Sequence, residues 1–438
     1  MSLTSALDVT ELIDQRPLGA LQIRIIVLCG LVALLDGFDL LAIGVAAPAM
    51  SKALQIPPNQ LGTVLSSALF GLMLGALVLG PIADRFGRKL VLVGATLIFG
   101  AFTVCTAGAA TWQQVVLYRF LAGFGLGGAM PSFISLTAEY TPRSYRQVVV
   151  GLLWTGFPLG GVIVGVVASR LIDAAGWQSL FYTGGIVPLV LSIILIAALP
   201  DSLEFLVSRG TQTRRIRELA IRINPTVNIG AGCRLITSEE KTRGEPVWYL
   251  FAGGQGYITG LLWASYFVTF LLLVTCAAWT PTLLRRAGID GADSSLSVAL
   301  FSFGSVIGTP LAGFLGNRFG AQRVLPLAFI ASALTLAGVG EGSHNIGYTH
   351  LVLALAGFFL GIASSGLIAL TPLLYSTPMR STGAGWAMGI GRFGSFAGPL
   401  IIGLLVERGW QLTNSFIALG AAAVSAAVFT SLIRARSA

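Results

Sequence analysis

The sequence predicts an all-α polytopic membrane protein, with twelve transmembrane helices arranged as two six-helix bundles. Three observations carry this expectation. Of the 438 residues, 55% are hydrophobic and only 10% are charged, against about 25% charged in a typical soluble domain, and the mean hydropathy is +0.84. Several apolar stretches exceed the roughly 20 residues that a helix needs to cross the hydrocarbon core. A glycine-rich loop pattern from the first half of the chain also recurs in the second.

The apolar runs place helices over 20–47, 59–83, 89–110, 112–140, 146–172 and 177–199 in the first half. In the second half they fall over 255–284, 292–317, 322–340, 347–375, 380–406 and 410–433. Residues 1–199 thus form an N-terminal bundle, 200–250 a basic linker and 251–438 a C-terminal bundle. The linker carries Arg209, Arg214, Arg215, Arg217, Arg222, Arg234, Lys241 and Arg243. Its segment 210–223 reads either as short amphipathic helices or as a solvated connection. The 55 glycines suit close helix packing in lipid, where apolar surface gains nothing by leaving the bilayer and small residues let backbones approach.

The basic residues orient the helices. With both termini inside, the cytoplasmic side receives the linker cluster together with Arg16, Arg24, Arg85, Arg88, Lys89, Arg143, Arg146, Arg318, Arg323, Arg380, Arg434 and Arg436. The far side receives Lys52, Arg170, Arg285, Arg286 and Arg408. This is the asymmetry of the positive-inside rule. The net charge of +9 is spread over short loops, which favours attraction to anionic lipid over binding of nucleic acid. No cleaved signal peptide is read in the polar first twenty residues. Cys29, Cys105, Cys233 and Cys276 show no disulfide or metal spacing. His344 and His350 read as loop residues in a short polar link. No nucleophile elbow or phosphate-cradling loop is present, so the chain reads as a non-enzyme with no cofactor.

Gly80-Pro81-Ile82-Ala83-Asp84-Arg85-Phe86-Gly87-Arg88-Lys89 aligns without a gap with Gly313-Phe314-Leu315-Gly316-Asn317-Arg318-Phe319-Gly320-Ala321-Gln322. Gly123-Phe124-Gly125-Leu126-Gly127 has a partner in Gly357-Phe358-Phe359-Leu360-Gly361. Parallel repeats of this kind make two bundles that rock about a site near the midplane. Asp84 can accept from nearby helix-end N–H groups, and Arg85 and Arg88 suit helix-end carbonyls or carboxylates. Glu139, near Arg143 and Arg146, reads as part of the same cluster. The run from Gly80 to Lys89 resembles the loop signature of the major facilitator superfamily, and span count, central basic loop and half-repeat agree along the whole chain. The resemblance implies the major facilitator fold and a cytoplasmic conformational latch at Gly80, Asp84, Arg85, Gly87 and Arg88, with Glu139 and Arg143 beside it. In the second half Asn317, Ala321 and Gln322 replace the charged positions, so a weaker latch is expected there.

Charged side chains inside apolar spans are expensive and are functional candidates. Asp36 and Asp39 lie mid-span, three residues apart and on nearly one helix face. Such a pair suits proton uptake and release; the alternative is structural pairing with an arginine on a neighbouring helix. Arg119, which resembles the lone fourth-helix arginine of proton-coupled facilitators, can partner either acid. Arg392, flanked by Gly391 and Gly394, offers a planar fork that fits a carboxylate; the alternative is a snorkelling residue. Phe38, Trp154, Phe157, Tyr266, Phe267, Trp279, Trp386 and Phe393 are candidate ring-packing residues, with Phe38 and Phe393 favoured because they adjoin charged positions.

Leu35-Asp36-Gly37-Phe38-Asp39 resembles the first-helix motif of the aromatic acid:proton symporters, and Ala138-Glu139-Tyr140 and Arg392 fit the same family. The resemblance implies import of a benzoate-like or hydroxybenzoate-like acid with protons, across a bacterial inner membrane, by alternating access. Asp36, Asp39 and Arg119 would couple the proton. Arg392, Phe38, Phe393, Trp154, Trp386 and Tyr266 would hold the substrate. Alternatives are a proton-coupled carrier for a sugar or aliphatic acid, and a membrane sensor that does not transport.

Overall fold

The computed structural model describes residues 6–14, 17–209, 213–223, 234–236, 247–341, 345–376 and 379–433. Twelve helices in it are long and apolar enough to cross a membrane. The first six spans are Ala20–Ala53, Pro58–Phe86, Arg88–Ala107, Trp112–Tyr140, Arg143–Ala175 and Gln178–Ala198. Spans seven to twelve are Gly256–Arg286, Gly291–Phe319, Ala321–Glu341, Ile346–Leu374, Arg380–Glu407 and Leu412–Leu432. All twelve expected spans are present, with ends shifted by a few residues. The termini of the bundle, near residues 20 and 432, share one face because the span count is even.

The two halves repeat their packing. Spans two and four, three and four, one and five, and three and six pack together; so do eight and ten, nine and ten, seven and eleven, and nine and twelve. The glycines explain the closest of these contacts. A Cβ at Gly71 would strike the Phe120 carbonyl, and one at Gly123 the Ala68 carbonyl. In the second half a Cβ at Gly304 would strike the Ala354 carbonyl, and one at Gly357 the Phe301 carbonyl. Span two therefore locks into span four, and span eight into span ten, backbone against backbone.

The repeated loops also turn alike. Gly87 has φ 103° and Gly320 has φ 83°, a region that costs glycine little and other residues more. Each ends one span and starts the next, so the chain reverses within a single residue.

Between the halves, spans one and seven, two and eleven, and five and eight make most of the contacts, as expected for two bundles related by a two-fold axis along the membrane normal. These contacts are tightest at one end. A Cβ at Gly44 would meet Ala278, one at Gly62 would meet Pro399, and one at Gly165 would meet Ala299. Ser66 Oγ donates to the Phe396 carbonyl at 3.0 Å across the same seam.

On the opposite face a short helix, Thr213–Ile223, buries Ile216, Ala220 and Ile223, so this part of 210–223 is amphipathic helix; residues 210–212 lie outside the described residues. Strand Ala6–Asp8 pairs in parallel with Arg234–Ile236, tying the N-terminal segment to the linker. Cys233 and His344 lie outside the described residues. His350 sits near the start of span ten, its Nε2 3.1 Å from the Asp293 carbonyl.

Candidate functional site

A cavity of about 1680 Å³ lies between the halves. It opens on the face that carries Arg143, Arg146, Asn317 and Gln322 and ends below the tight seam. Its volume exceeds the roughly 300–1,000 Å³ of a closed small-molecule pocket, because it includes a vestibule. Span one contributes Asp36, Leu40 and Leu41 to the wall, and span five contributes Trp154 and Phe157. Span seven contributes Phe270, span eight Ser302, Ser305 and Thr309, and span eleven Arg392 and Ser395.

Asp36 and Asp39 part company here. Three residues on a helix are about 60° off a common line, and that offset sends the two carboxylates into different surroundings. Asp39 is fully buried within the first bundle. Arg119 grips it with a two-pronged pair, Nη1 to Oδ1 at 2.9 Å and Nη2 to Oδ2 at 2.9 Å, and Nη2 also donates to its carbonyl at 3.0 Å. Thr103 Oγ1 donates to Oδ1 at 2.6 Å, and the Phe181 ring lies 5.7 Å from the guanidinium carbon. Desolvated ions persist in a protein interior only with this degree of pairing. Asp36 reaches the cavity wall instead, and its Oδ1 has no hydrogen-bond partner. The sequence left open which acid Arg119 takes; in the structure it takes Asp39.

Arg392 faces the same cavity from span eleven and lies close enough to Asp36 for their charges to interact. Its Nη2 donates to the sulfur of Met130 on span four, 2.7 Å away. A thioether is a weak acceptor, so the guanidinium keeps most of its hydrogen-bonding capacity for an anion.

Of the eight expected aromatic residues, Phe38, Tyr266, Phe267, Trp279, Trp386 and Phe393 lie outside the cavity wall. Trp154 lines the cavity, joined by Phe157 and Phe270. Phe38 is buried against Gly184 of span six, because two residues beyond Asp36 a helix has turned to its far side. Phe393 is 50% exposed outside the cavity wall and packs on Phe396. Trp386 is 47% exposed and stacks on Trp263. Tyr266 is buried within the second bundle and shares a 2.8 Å hydrogen bond with Thr371 Oγ1. Adjacency in sequence to a charged residue is a poor guide on a helix, where the next side chain points about 100° away. Trp279 is also buried, its Nε1 donating to the Pro399 carbonyl at 3.0 Å.

The predicted latch residues divide. Glu139 is buried and forms an ion pair with Arg88, and Ser202 Oγ donates to its other oxygen at 2.5 Å. Arg143 does not join them. It pairs with Asp14 through Nε at 3.3 Å, and its backbone N–H donates to the same carboxylate at 2.7 Å. Lys89 caps a helix end, donating to the Ile196 carbonyl at 3.1 Å. Arg85 lies over the Phe86 ring. Asp84 is exposed and makes no ion pair among the described residues. A Cβ at Gly80 would meet nothing. In this state, with the cavity open on their face, the acid and the glycine of the signature stand clear of the second half.

Sequence reasoning missed Met130 and the serines of span eight. The signal for the serines was present: Ser302, Ser305 and Thr309 follow helical spacing within an apolar run. Nothing in the sequence marked Met130.

The family model for the Major Facilitator Superfamily matches residues 29–292 and 262–438. A 4-hydroxybenzoate transporter of Pseudomonas putida is 37% identical over 95% of this chain and 94% of its own. A gallate transporter of the same species is 34% identical over 96% and 94%. The benzoate transport protein of Acinetobacter baylyi is 31% identical over 98% and 93%. Among solved structures, a partially occluded, inward-open form of the Escherichia coli xylose transporter superposes with a TM-score of 0.74 at 17% identity, covering 96% of this chain and 99% of that one; at that identity the likeness concerns the fold. All of these relatives are carriers and none is an enzyme. The chain is a twelve-span membrane transporter that belongs to the aromatic acid transporter family of the Major Facilitator Superfamily.

Proposed function

We propose that this protein imports an aromatic carboxylate of the benzoate or hydroxybenzoate type together with a proton, by alternating access. The observation that carries the reading is Asp36: a carboxylate on the cavity wall, with one oxygen unpartnered, facing Arg392 of the opposite half. Relatives named for 4-hydroxybenzoate, gallate and benzoate support the substrate class. The face onto which the cavity opens carries the basic loops, which supports an inward-open state, cytoplasmic termini and contact with anionic lipids there. The bacterial relatives support residence in the inner membrane.

Binding proceeds on two charges. With the cavity open outward, Asp36 takes a proton, which removes its repulsion for an incoming anion. The substrate carboxylate displaces Met130 from Arg392 and accepts from the guanidinium fork. Its ring packs between Trp154, Phe157 and Phe270. A neutralised Asp36 and a paired Arg392 cost less to enclose than two bare ions, so the halves can close over the loaded site and reopen inward. Asp39 stays held by Arg119 throughout. One proton then accompanies one monoanion, and no net charge crosses. A second proton would couple the cycle to voltage by about 2.3 kcal/mol per 100 mV.

The test is uptake of labelled 4-hydroxybenzoate and glucose into proteoliposomes under a pH gradient, with and without an imposed potential. The wild type is expected to accumulate 4-hydroxybenzoate, independently of potential, and to ignore glucose. Asp36→Asn is expected to lose accumulation while still exchanging internal for external substrate. Arg392→Ala is expected to lose both. Accumulation by Asp36→Asn would remove this residue from the coupling role.

A further inference from the structure

Many hydroxyl groups inside these helices satisfy themselves, although Thr137, Thr275 and Thr282 are buried without a hydrogen-bond partner among the described residues. A serine or threonine in a helix can donate to the carbonyl three or four residues back. Span eight begins this way: Ser294 donates to the Asp290 carbonyl at 2.7 Å, Ser295 to Gly291 at 2.9 Å and Ser297 to Asp293 at 2.9 Å. Ser332, Thr371 and Thr430 do the same elsewhere in the second half.

One to three turns further along span eight the habit stops. Ser302, Ser305 and Thr309 make no hydrogen bond among the described residues, and all three line the cavity. Their spacing of three and four puts them in one stripe, about 10 Å long from first to last. Ser302 is 2% exposed and Ser305 7% exposed, yet neither oxygen is sealed off, since both residues contribute to the wall of the open cavity. These are polar side chains on the cavity wall with unused hydrogen-bonding groups, the Ser302 oxygen bordering Gly161 of span five and the Ser305 oxygen Gly361 of span ten. The stripe lies on the second half, as Arg392 does; the wall contributed by span one is apolar apart from Asp36, and span five adds Arg143, Arg146, Gln147 and Thr155 besides its apolar residues.

We propose that Ser302, Ser305 and Thr309 form a hydroxyl-reading subsite that selects ring-hydroxylated aromatic acids over unsubstituted ones. This rests on the binding mode proposed above, with the carboxylate on Arg392. A ring hydroxyl can both donate to and accept from a serine. A substrate lacking it leaves the stripe without a partner once water is expelled on closure, and that loss discriminates against it. Several hydroxyls in one stripe also let the site serve more than one position on the ring.

The experiment compares 4-hydroxybenzoate with benzoate, as KM and maximal rate in proteoliposomes, for the wild type, Ser305→Ala, Thr309→Val and the double variant. None of these hydroxyls bonds within the fold, so the replacements keep helix and packing. Ser332→Ala, which removes a hydroxyl bonded to its own helix away from the cavity, is the control. For the variants that face the ring hydroxyl, KM for 4-hydroxybenzoate is expected to rise about ten-fold, the worth of one hydrogen bond, with benzoate unchanged. Parallel losses for both substrates, no loss for either, or a wild type that does not prefer 4-hydroxybenzoate would each overturn the subsite. A wild type that moves neither acid would instead overturn the binding mode on which the subsite rests, and the subsite with it.

Discussion

In the first half of the molecule, Asp36, Asp39, Arg119 and Glu139 are charged side chains buried among six helices. In the second half, the buried polar side chains among the described residues are serines and threonines, and Arg392 looks into the cavity. The backbones nevertheless repeat, down to the glycine interlocks of spans two with four and eight with ten and the turns at Gly87 and Gly320. Helix packing in lipid depends on small residues at a few contact points. It leaves the remaining positions free, so one architecture can carry a charged framework in one bundle and a neutral hydroxyl wall in the other. The signature loops differ likewise. Arg88 and Glu139 are paired in the first half, whereas Ala321 stands in place of Arg88, and Leu373 lies as far beyond Gly357 as Glu139 lies beyond Gly123.

The contrast between the halves can be broken most forcefully at Arg119. Arg119→Ala leaves the Asp39 carboxylate buried without its counter-ion, with only Thr103 still donating to it, and is expected to cost about 3–5 kcal/mol of stability, read as a lower melting temperature in detergent. Adding Asp39→Asn should recover most of it. Arg392→Ala, which removes an equally charged group from the cavity wall of the other half, should leave the melting temperature unchanged while abolishing uptake. Equal losses at Arg119 and Arg392 would mean that the two charges are both framework. A smaller effect is expected from Glu139→Gln, which keeps a group for Ser202 but loses the Arg88 ion pair; the cost is about 1–3 kcal/mol. The smallest belongs to Asp290, an exposed residue that caps span eight. Its carboxyl is held below the usual carboxylate range by the backbone N–H groups of Gly291 and Ala292, with Arg285 adding to the effect. Because its folded-state pKa is lowered, its contribution is present above the ordinary carboxylate pKa and fades as pH falls through the lowered value. Asp290→Ala should therefore melt slightly earlier than wild type at neutral pH, and the difference should close on acidification.

The helices were legible because crossing a bilayer demands long apolar runs, and the span ends and the half-repeat followed from loop glycines and basic residues. Asp36, Arg119 and Arg392 stood out because a charge within an apolar run has few explanations. The aromatic positions did not, since every span contains rings and most of them pack. Phe38 and Phe393 were favoured for being next to Asp39 and Arg392, yet one helical step turns a side chain to another neighbour. The division between Asp36 and Asp39 was hidden for a related reason. Two carboxylates on nearly one face differ by a modest rotation, and only the position of spans three and four, which bring Thr103 and Arg119 to Asp39, decides which of them is tied down.

The seam that closes the cavity at its blind end is neutral. Ser66 gives one hydrogen bond to a carbonyl there, and Gly44, Gly62 and Gly165 bring backbones together; among the described residues no ion pair crosses it. Dissolved salt weakens exposed charge pairs, over a screening length of about 8 Å at physiological ionic strength, but has little hold on dispersion and amide contacts. A seam built this way is not tuned by the salt content of the medium that bathes it, and should part as readily in dilute water as in brine.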